Sequence, residues 1–357
     1  MLSLRKRLGL EIERRLQKDL AVEHPLYQLF WECTLRCNLR CQHCGSDCKV
    51  VAEQKEMPRE DFFRVLDGIA QHTDPHQVFV IVTGGEPLLR ADLDEAGRGI
   101  YDRGFPWGIV TNGMLLSKER LNRLYYSGLH SVAMSLDGLE QNHNWMRGNT
   151  HSFQMVSNAI DMLVATKGFV FDIVTCVNRR NYTQLNDIKE FLISKGVQRW
   201  RLFTVFPVGR AALDPDMRLT NEQFRGVFDF IRETRKEGRI RANYGCEGFL
   251  GNYEGEARSR FFSCQAGITV GSVMADGSIA ACASIRADYH QGNIYEDDFM
   301  EVWENRYAPY RNREWMRNGE CKSCKYFRYC QGNGMHLRDA NGKLLLCHLK
   351  RLQQAAD

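Results

Sequence analysis

The run Cys37-Asn38-Leu39-Arg40-Cys41-Gln42-His43-Cys44 decides how this chain is read. It sets three thiols on one short stretch, with three and then two residues between them. A saturated 4Fe–4S cube takes four cysteine thiolates, one per iron. Three thiolates at this spacing can wrap one loop around a cube and leave the fourth iron open to a small molecule. Taken alone, the triad also fits a zinc knuckle or a structural cluster.

Working outward, residues 27–31 read as a strand leading into the cysteine loop. Pro58 suits a first helical turn and opens a helix through Ile69. The apolar run 78–82 is a buried strand that ends at Thr83-Gly84-Gly85-Glu86-Pro87. The alternation continues with helices over 92–101, 117–126, 153–166 and 184–194, and strands over 107–110, 132–136, 170–177 and 200–206. Thr220 and Gln223 form a capping box for a last helix through Arg235. Six strand–helix units predict an α/β domain over residues 25–240. A partial barrel and an open doubly wound sheet both satisfy the pattern, because they differ in strand order. In either, chemistry belongs at the carboxyl ends of the strands. The cysteine loop, Gly84, Asn112 and Asp137 all fall there.

Cys-x3-Cys-x2-Cys after a first strand, with Gly-Gly-Glu-Pro after the second, resembles the radical SAM superfamily. The resemblance implies a partial (βα)6 TIM-like barrel and a catalytic 4Fe–4S cluster on Cys37, Cys41 and Cys44. It implies an open iron that chelates S-adenosylmethionine and delivers the electron that releases a 5′-deoxyadenosyl radical, which abstracts hydrogen from an unactivated C–H bond. It also implies cofactor-binding roles for Gly84 and Gly85, which carry no Cβ in the way of a bound ammonium, and for Glu86. Ser135 and Arg147 match positions where family members hold the carboxylate and ribose, and the planar fork of Arg suits a carboxylate. His43 takes the usually aromatic position beside the adenine. A strand-end turn accounts for Asn112 equally well.

A second cysteine region begins after residue 240, where the chain becomes rich in Gly, Asn and Cys. Strands over 268–274 and 278–281 flank Asp276-Gly277 as a hairpin, and a helix is expected over 299–306. Cys264-x12-Gly277-x4-Cys282, then Cys321-x2-Cys324-x5-Cys330 and Cys347, resembles the SPASM extension of radical SAM enzymes that mature peptides and proteins. The resemblance assigns residues 241–351 to such a domain with up to two auxiliary 4Fe–4S clusters. Cys321, Cys324, Cys330 and Cys347 match the ligands of the cluster farther from the barrel. Cys264, Cys282 and Cys246 remain for the nearer one, expected to have three thiolates and an open iron. A zinc ribbon would explain four of these cysteines but not Cys264 and Cys282. Two departures stand out. Gly334 sits where the family motif often continues with cysteine, and Ala283 replaces the Asp that sulfatase-maturing relatives carry. The latter argues against formylglycine formation and leaves crosslinking, epimerisation or another C–H functionalisation open. Cys33, Cys48 and Cys176 are expected to be buried structural residues, although a strand-end thiol at Cys176 could face the substrate.

The totals exclude some classes. A net charge of +4 over 357 residues argues neither for nor against an anionic partner; no nucleic-acid partner is expected, and no apolar run is long enough for stable membrane insertion. The first twenty residues lack a secretory core, so the expected location is the cytoplasm. Thirteen cysteines there suggest metal chemistry rather than disulfides. Leu8, Ile12, Leu16 and Leu20 recur at every fourth position, which predicts an amphipathic helix within residues 1–24. Its apolar stripe is expected to pack on the body rather than on a membrane surface. The expected function is reductive cleavage of S-adenosylmethionine to modify a peptide or protein that could be encoded nearby, with a reductant such as flavodoxin or ferredoxin. The alternatives are the same chemistry on a small molecule (cofactor or sugar maturation) and a non-catalytic metal-binding interaction module.

Overall fold

The computed structural model describes residues 2–355. Its strands are β1 (Gln28–Thr34), β2 (Phe79–Gly84), β3 (Trp107–Thr111), β4 (Leu129–Ser135), β5 (Val170–Val177), β6 (Arg199–Thr204), β7 (Arg241–Tyr244), β8 (Val270–Val273), β9 (Ser278–Ala280) and β10 (Gly292–Asn293). The helices are α1 (Leu4–Glu23), α2 (Arg59–Ala70), α3 (Leu93–Asp102), α4 (Lys118–Tyr126), α5 (Glu140–Arg147), α6 (Ser152–Ala165), α7 (Leu185–Ser194), α8 (Asn221–Glu237), α9 (Phe299–Asn305), α10 (Ala308–Arg311), α11 (Phe327–Cys330) and α12 (His348–Gln354).

Strands β1 to β7 pair in chain order, each parallel to the next. That order settles the choice the sequence left open. A doubly wound sheet reverses direction next to its first strand; here the winding never reverses, as in a barrel that stops short of closing. The other edge of β1 pairs parallel with β8, so the expected hairpin of β8 and β9 extends the same sheet, which ends at β10.

The core lies between sheet and helices, where Trp31 stacks on Phe62 of α2 with ring centroids 4.4 Å apart. Buried Arg90 lies over Trp31 and donates to the carbonyls of Cys33 (2.8 Å) and Met57 (3.0 Å). This fixes both ends of the segment that carries the cysteine loop. The capping box of Thr220 and Gln223 forms as expected.

Two expectations need correction. The stripe of α1 does not pack on the body: Leu8, Ile12 and Leu16 are exposed and Leu20 is half-buried. Specific polar contacts fix the rotation of this helix, so its other face docks. Between β4 and α6, where the sequence pattern predicts no element, α5 forms and carries Arg147. With only eight residues, α5 leaves too short a periodic pattern to stand out.

Candidate active site

The loop after β1 brings Cys37, Cys41 and Cys44 into one packed group with Leu39, Cys48 and Met114. The four cysteines are free thiols, and Cys37, Cys41 and Cys48 are buried. Burial pushes Cys37 up to about 11 and raises Cys41 against the pull of Arg147. A side-chain hydrogen bond with Cys48 holds Cys44 down at about 5. Cys48 therefore touches the triad. Cys33 is fully buried in the main core, as expected.

The end of β2 presses against this loop. A Cβ on Gly84 would lie 2.1 Å from the Thr34 carbonyl oxygen, and one on Gly85 would lie 2.2 Å from that of Arg36. The Gly85 and Glu86 amides donate to those two oxygens at 2.8 and 2.9 Å. Gly84 has φ +142°, a conformation open to glycine. The two glycines thus allow β2 to bind the cysteine loop backbone to backbone. Glu86 is fully buried and accepts from the Thr111 hydroxyl (2.7 Å) and from the Leu88 (3.0 Å) and Asn112 (2.7 Å) amides. Its carboxyl braces β2 against β3, and burial raises its pKa. Asn112 does two things: its Oδ1 accepts from the Met114 amide, and its Nδ2 donates to Asn38 and lies 4.0 Å from Cys37 Sγ.

Across the mouth, Arg147 ends α5 with Nη2 2.7 Å from Asp137 Oδ2 and Nη1 3.6 Å from Cys41 Sγ. Burial opposes its charge, but Asp137 and Cys41 sustain it. Asp137 follows β4 and accepts from the Cys176 amide at 2.9 Å. Burial would raise its carboxyl, yet Arg147, His43 and His143 together hold it low. His43 lies 3.9 Å from the same carboxylate, and burial drives it down to about 4. Cys176 is half-buried, and its Sγ lies within 4.8 Å of donor atoms on His43 and Asp137. Ser135, half-buried, is the last residue of β4. From beyond β6, Arg210 clamps the cysteine loop, donating to the carbonyls of Cys41 (2.7 Å) and Cys48 (3.2 Å).

Asp137, Arg210 and Cys48 were not among the expected site residues. For Asp137 the signal was its place just after a strand, whereas nothing local marks Arg210, 166 or more residues from the triad. Buried polar atoms without hydrogen bonds are rare. His43 Nδ1, Asp137 Oδ2 and Arg147 Nε are three in one mouth, Asp137 Oδ2 being ion-paired but not aligned for a hydrogen bond. Beside the three thiols they fit a charged, polar cofactor.

The C-terminal thiols fall into two electrostatically coupled groups. Cys246 is surrounded by protein yet keeps accessible surface; those surroundings, with Cys282 and Cys264 nearby, push it up to about 12. Burial and Cys264 raise Cys282, whereas at Cys264 burial is overcome only by Arg313 together with backbone hydrogen bonds from Met335 and Ala266, which lower it. In the other group, Cys330 is raised by burial and by Cys347, Cys321 and Cys324. Arg338 Nη2 lies 3.5 Å from Cys321 Sγ. Position 334 has no room for a thiol: a Cβ there would lie 2.7 Å from the Glu247 carbonyl oxygen.

A three-thiol loop at the open end of a partial barrel, followed by two further thiol groups, defines an iron–sulfur enzyme with a cofactor-binding mouth. A family model described as the radical SAM superfamily matches residues 31–192, and one described as an iron–sulfur cluster-binding domain, SPASM, matches residues 264–325. Mycofactocin maturase MftC of Mycolicibacterium smegmatis is 30% identical over 312 residues, covering 86% of this chain and 77% of that protein. AdoMet-dependent heme synthase of Methanosarcina barkeri is 27% identical over 335 residues, covering 88% and 93%. Streptococcus suis SuiB, solved with precursor peptide SuiA, shares the fold at TM-score 0.67 and 19% identity, covering 89% of this chain and 74% of that one. The chain belongs to the radical SAM superfamily and carries a SPASM domain. It is an enzyme that uses 4Fe–4S clusters and S-adenosylmethionine, and the non-catalytic alternative falls. No described helix is long and apolar enough to cross a membrane.

Proposed function

We propose that this enzyme modifies a peptide or protein by hydrogen-atom abstraction. The observation that carries the reading is the thiol set of the C-terminal region, three in one coupled group and four in the other. Such a set is what the resemblance to peptide- and protein-maturing enzymes implies. A maturase at 30% identity and the shared fold of SuiB, solved with a precursor peptide, support it.

In this reading Cys37, Cys41 and Cys44 hold the catalytic cluster. Cys321, Cys324, Cys330 and Cys347 hold the farther auxiliary cluster, and Cys246, Cys264 and Cys282 hold the nearer one through three thiolates. When bound, the catalytic cluster and S-adenosylmethionine supply the electron and the radical that abstracts hydrogen. Arg147, oriented by Asp137, and Ser135 would take the cofactor's carboxylate and ribose. His43 would face the adenine, and Gly84, Gly85 and Glu86 would shape the floor. Met146, Val205 and Met217 form an apolar group with Cys176 beside them. The substrate is encoded nearby, the electron comes from a flavodoxin or ferredoxin, and the cytoplasm keeps these thiols reduced.

The second reading is a small-molecule substrate, favoured by alignment over 93% of the heme synthase. Anaerobically reconstituted enzyme with dithionite separates the two. Release of 5′-deoxyadenosine is measured with peptides from neighbouring reading frames and, separately, with iron porphyrins. A peptide that raises release and gains a mass shift, both lost in Cys41→Ala, supports the first reading. Stimulation by porphyrin and by no peptide supports the second.

A further inference from the structure

The amino-terminal helix α1 turns a mainly polar side to the body. Leu10 is its one buried apolar residue; around it Lys6 pairs with Glu256, Glu11 accepts from the Tyr329 hydroxyl (2.6 Å), and Gln17 Oε1 accepts from Ser263 and Gln265 (2.8 Å each). Gly9 lies so close under Phe261 that a Cβ would approach its ring to 2.7 Å. The apolar stripe therefore points outward, with Leu4 74%, Leu8 59%, Ile12 61% and Leu16 52% exposed. Burial of apolar surface would favour the opposite rotation, so these polar contacts hold the stripe where the body cannot cover it.

The charges beside the stripe identify what does cover it. Arg5, Arg15 and Lys18 are exposed and form no ion pair among the described residues. Glu11 is ion-paired with Arg14 and Arg328, while half-buried Glu13 keeps its charge and accepts from Gln17; exposed Arg7, which donates to the Leu2 carbonyl, is a fourth cation without an ion pair among the described residues. The exposed acids of this helix, Asp19 and Glu23, lie beyond Leu16, the last exposed leucine of the stripe. From Leu4 to Leu16 the stripe runs about 18 Å at 1.5 Å per residue. We propose that α1 is a peripheral membrane anchor. It lies in the plane of an anionic phospholipid surface, with the four apolar side chains among the acyl chains and the free cations at the headgroups. This is adsorption onto a bilayer, not passage through it.

The test is co-sedimentation of the reconstituted holoenzyme with vesicles of neutral phosphatidylcholine and of phosphatidylcholine mixed with phosphatidylglycerol. The expected result is binding to the anionic vesicles that weakens as salt rises. Replacing a lipid-buried Ile by a carboxylate should lower partitioning on the order of tenfold or more in Ile12→Glu. Arg15→Glu should lower it on the anionic vesicles. Both variants should keep the parent's cofactor cleavage, which shows that they fold. No binding by the parent enzyme, or binding that Ile12→Glu leaves intact, overturns the proposal. So does light scattering that finds a dimer dispersed by Ile12→Glu without vesicle binding, because the stripe would then meet a second copy.

Discussion

Gly84→Ala tests whether the glycines after β2 serve the cofactor's approach or the backbone seam beneath the cluster loop. The structure predicts a seam defect. An alanine must hold φ +142°, a glycine-type conformation that costs other residues about 1–3 kcal/mol. Its methyl would also lie 2.1 Å from the Thr34 carbonyl oxygen, a backbone atom that cannot swing away. Overpacking of this kind costs about 1–3 kcal/mol more. Together these give about 4 kcal/mol, against a total stability on the order of 5–15 kcal/mol. At about 2 °C per kcal/mol for a large chain, Tm should fall by roughly 8 °C. Relief of the clash would part the Gly85–Thr34 and Glu86–Arg36 hydrogen bonds next to Cys37, so iron per chain after reconstitution should fall by up to about four. Gly45, in the same loop, is the control: a Cβ there meets nothing within 4 Å, and Gly45→Ala should stay within about 0.5 kcal/mol. Thermal melts and iron analysis of the three proteins decide the matter. A Gly84→Ala enzyme with the parent's Tm and iron but weakened S-adenosylmethionine binding would refute the seam.

Other perturbations follow from the same contacts. Arg210→Ala removes the donor to the Cys41 and Cys48 carbonyls. It should loosen the loop by about 2–3 kcal/mol, seen as faster loss of iron to a chelator; an unchanged rate counts against the clamp. His143 is buried with its pKa depressed to about 3, while its ring accepts from the Asp137 amide. Its contribution is present above the unfolded value of about 6.5 and is lost as pH falls towards 3, by up to about 1.4 kcal/mol per pH unit. Urea melts at descending pH should show a shallower loss in His143→Gln, and equal slopes would remove His143 as the cause. Cys246→Ala should lose about four irons per chain, and an unchanged count would strike Cys246 from the ligands. Gly334→Cys should gain no iron and melt lower, because the new side chain meets the Glu247 carbonyl; added iron would show that the backbone can give way.

Local chemistry made much of this protein readable in one dimension. Thiol spacing marked the cysteine loop and the second cysteine region, an apolar run marked β2, and Thr220 with Gln223 marked the start of α8, because each signal is carried by residues close in the chain. Tertiary structure decided the rest. The chain-order winding of β1 to β7 depends on which strand edges meet, and hydrophobic pattern is blind to that. Glu86 became a brace only when β3 brought Thr111 and Asn112 to its oxygens. Arg210 reached the triad from the far side of the barrel, and Asp137 became the partner of Arg147 because the eight-residue α5 folds back over the mouth. The rotation of α1 went against its own periodicity. Apolar spacing says which side chains share a face; the partners offered by distant segments determine whether that face turns in or out.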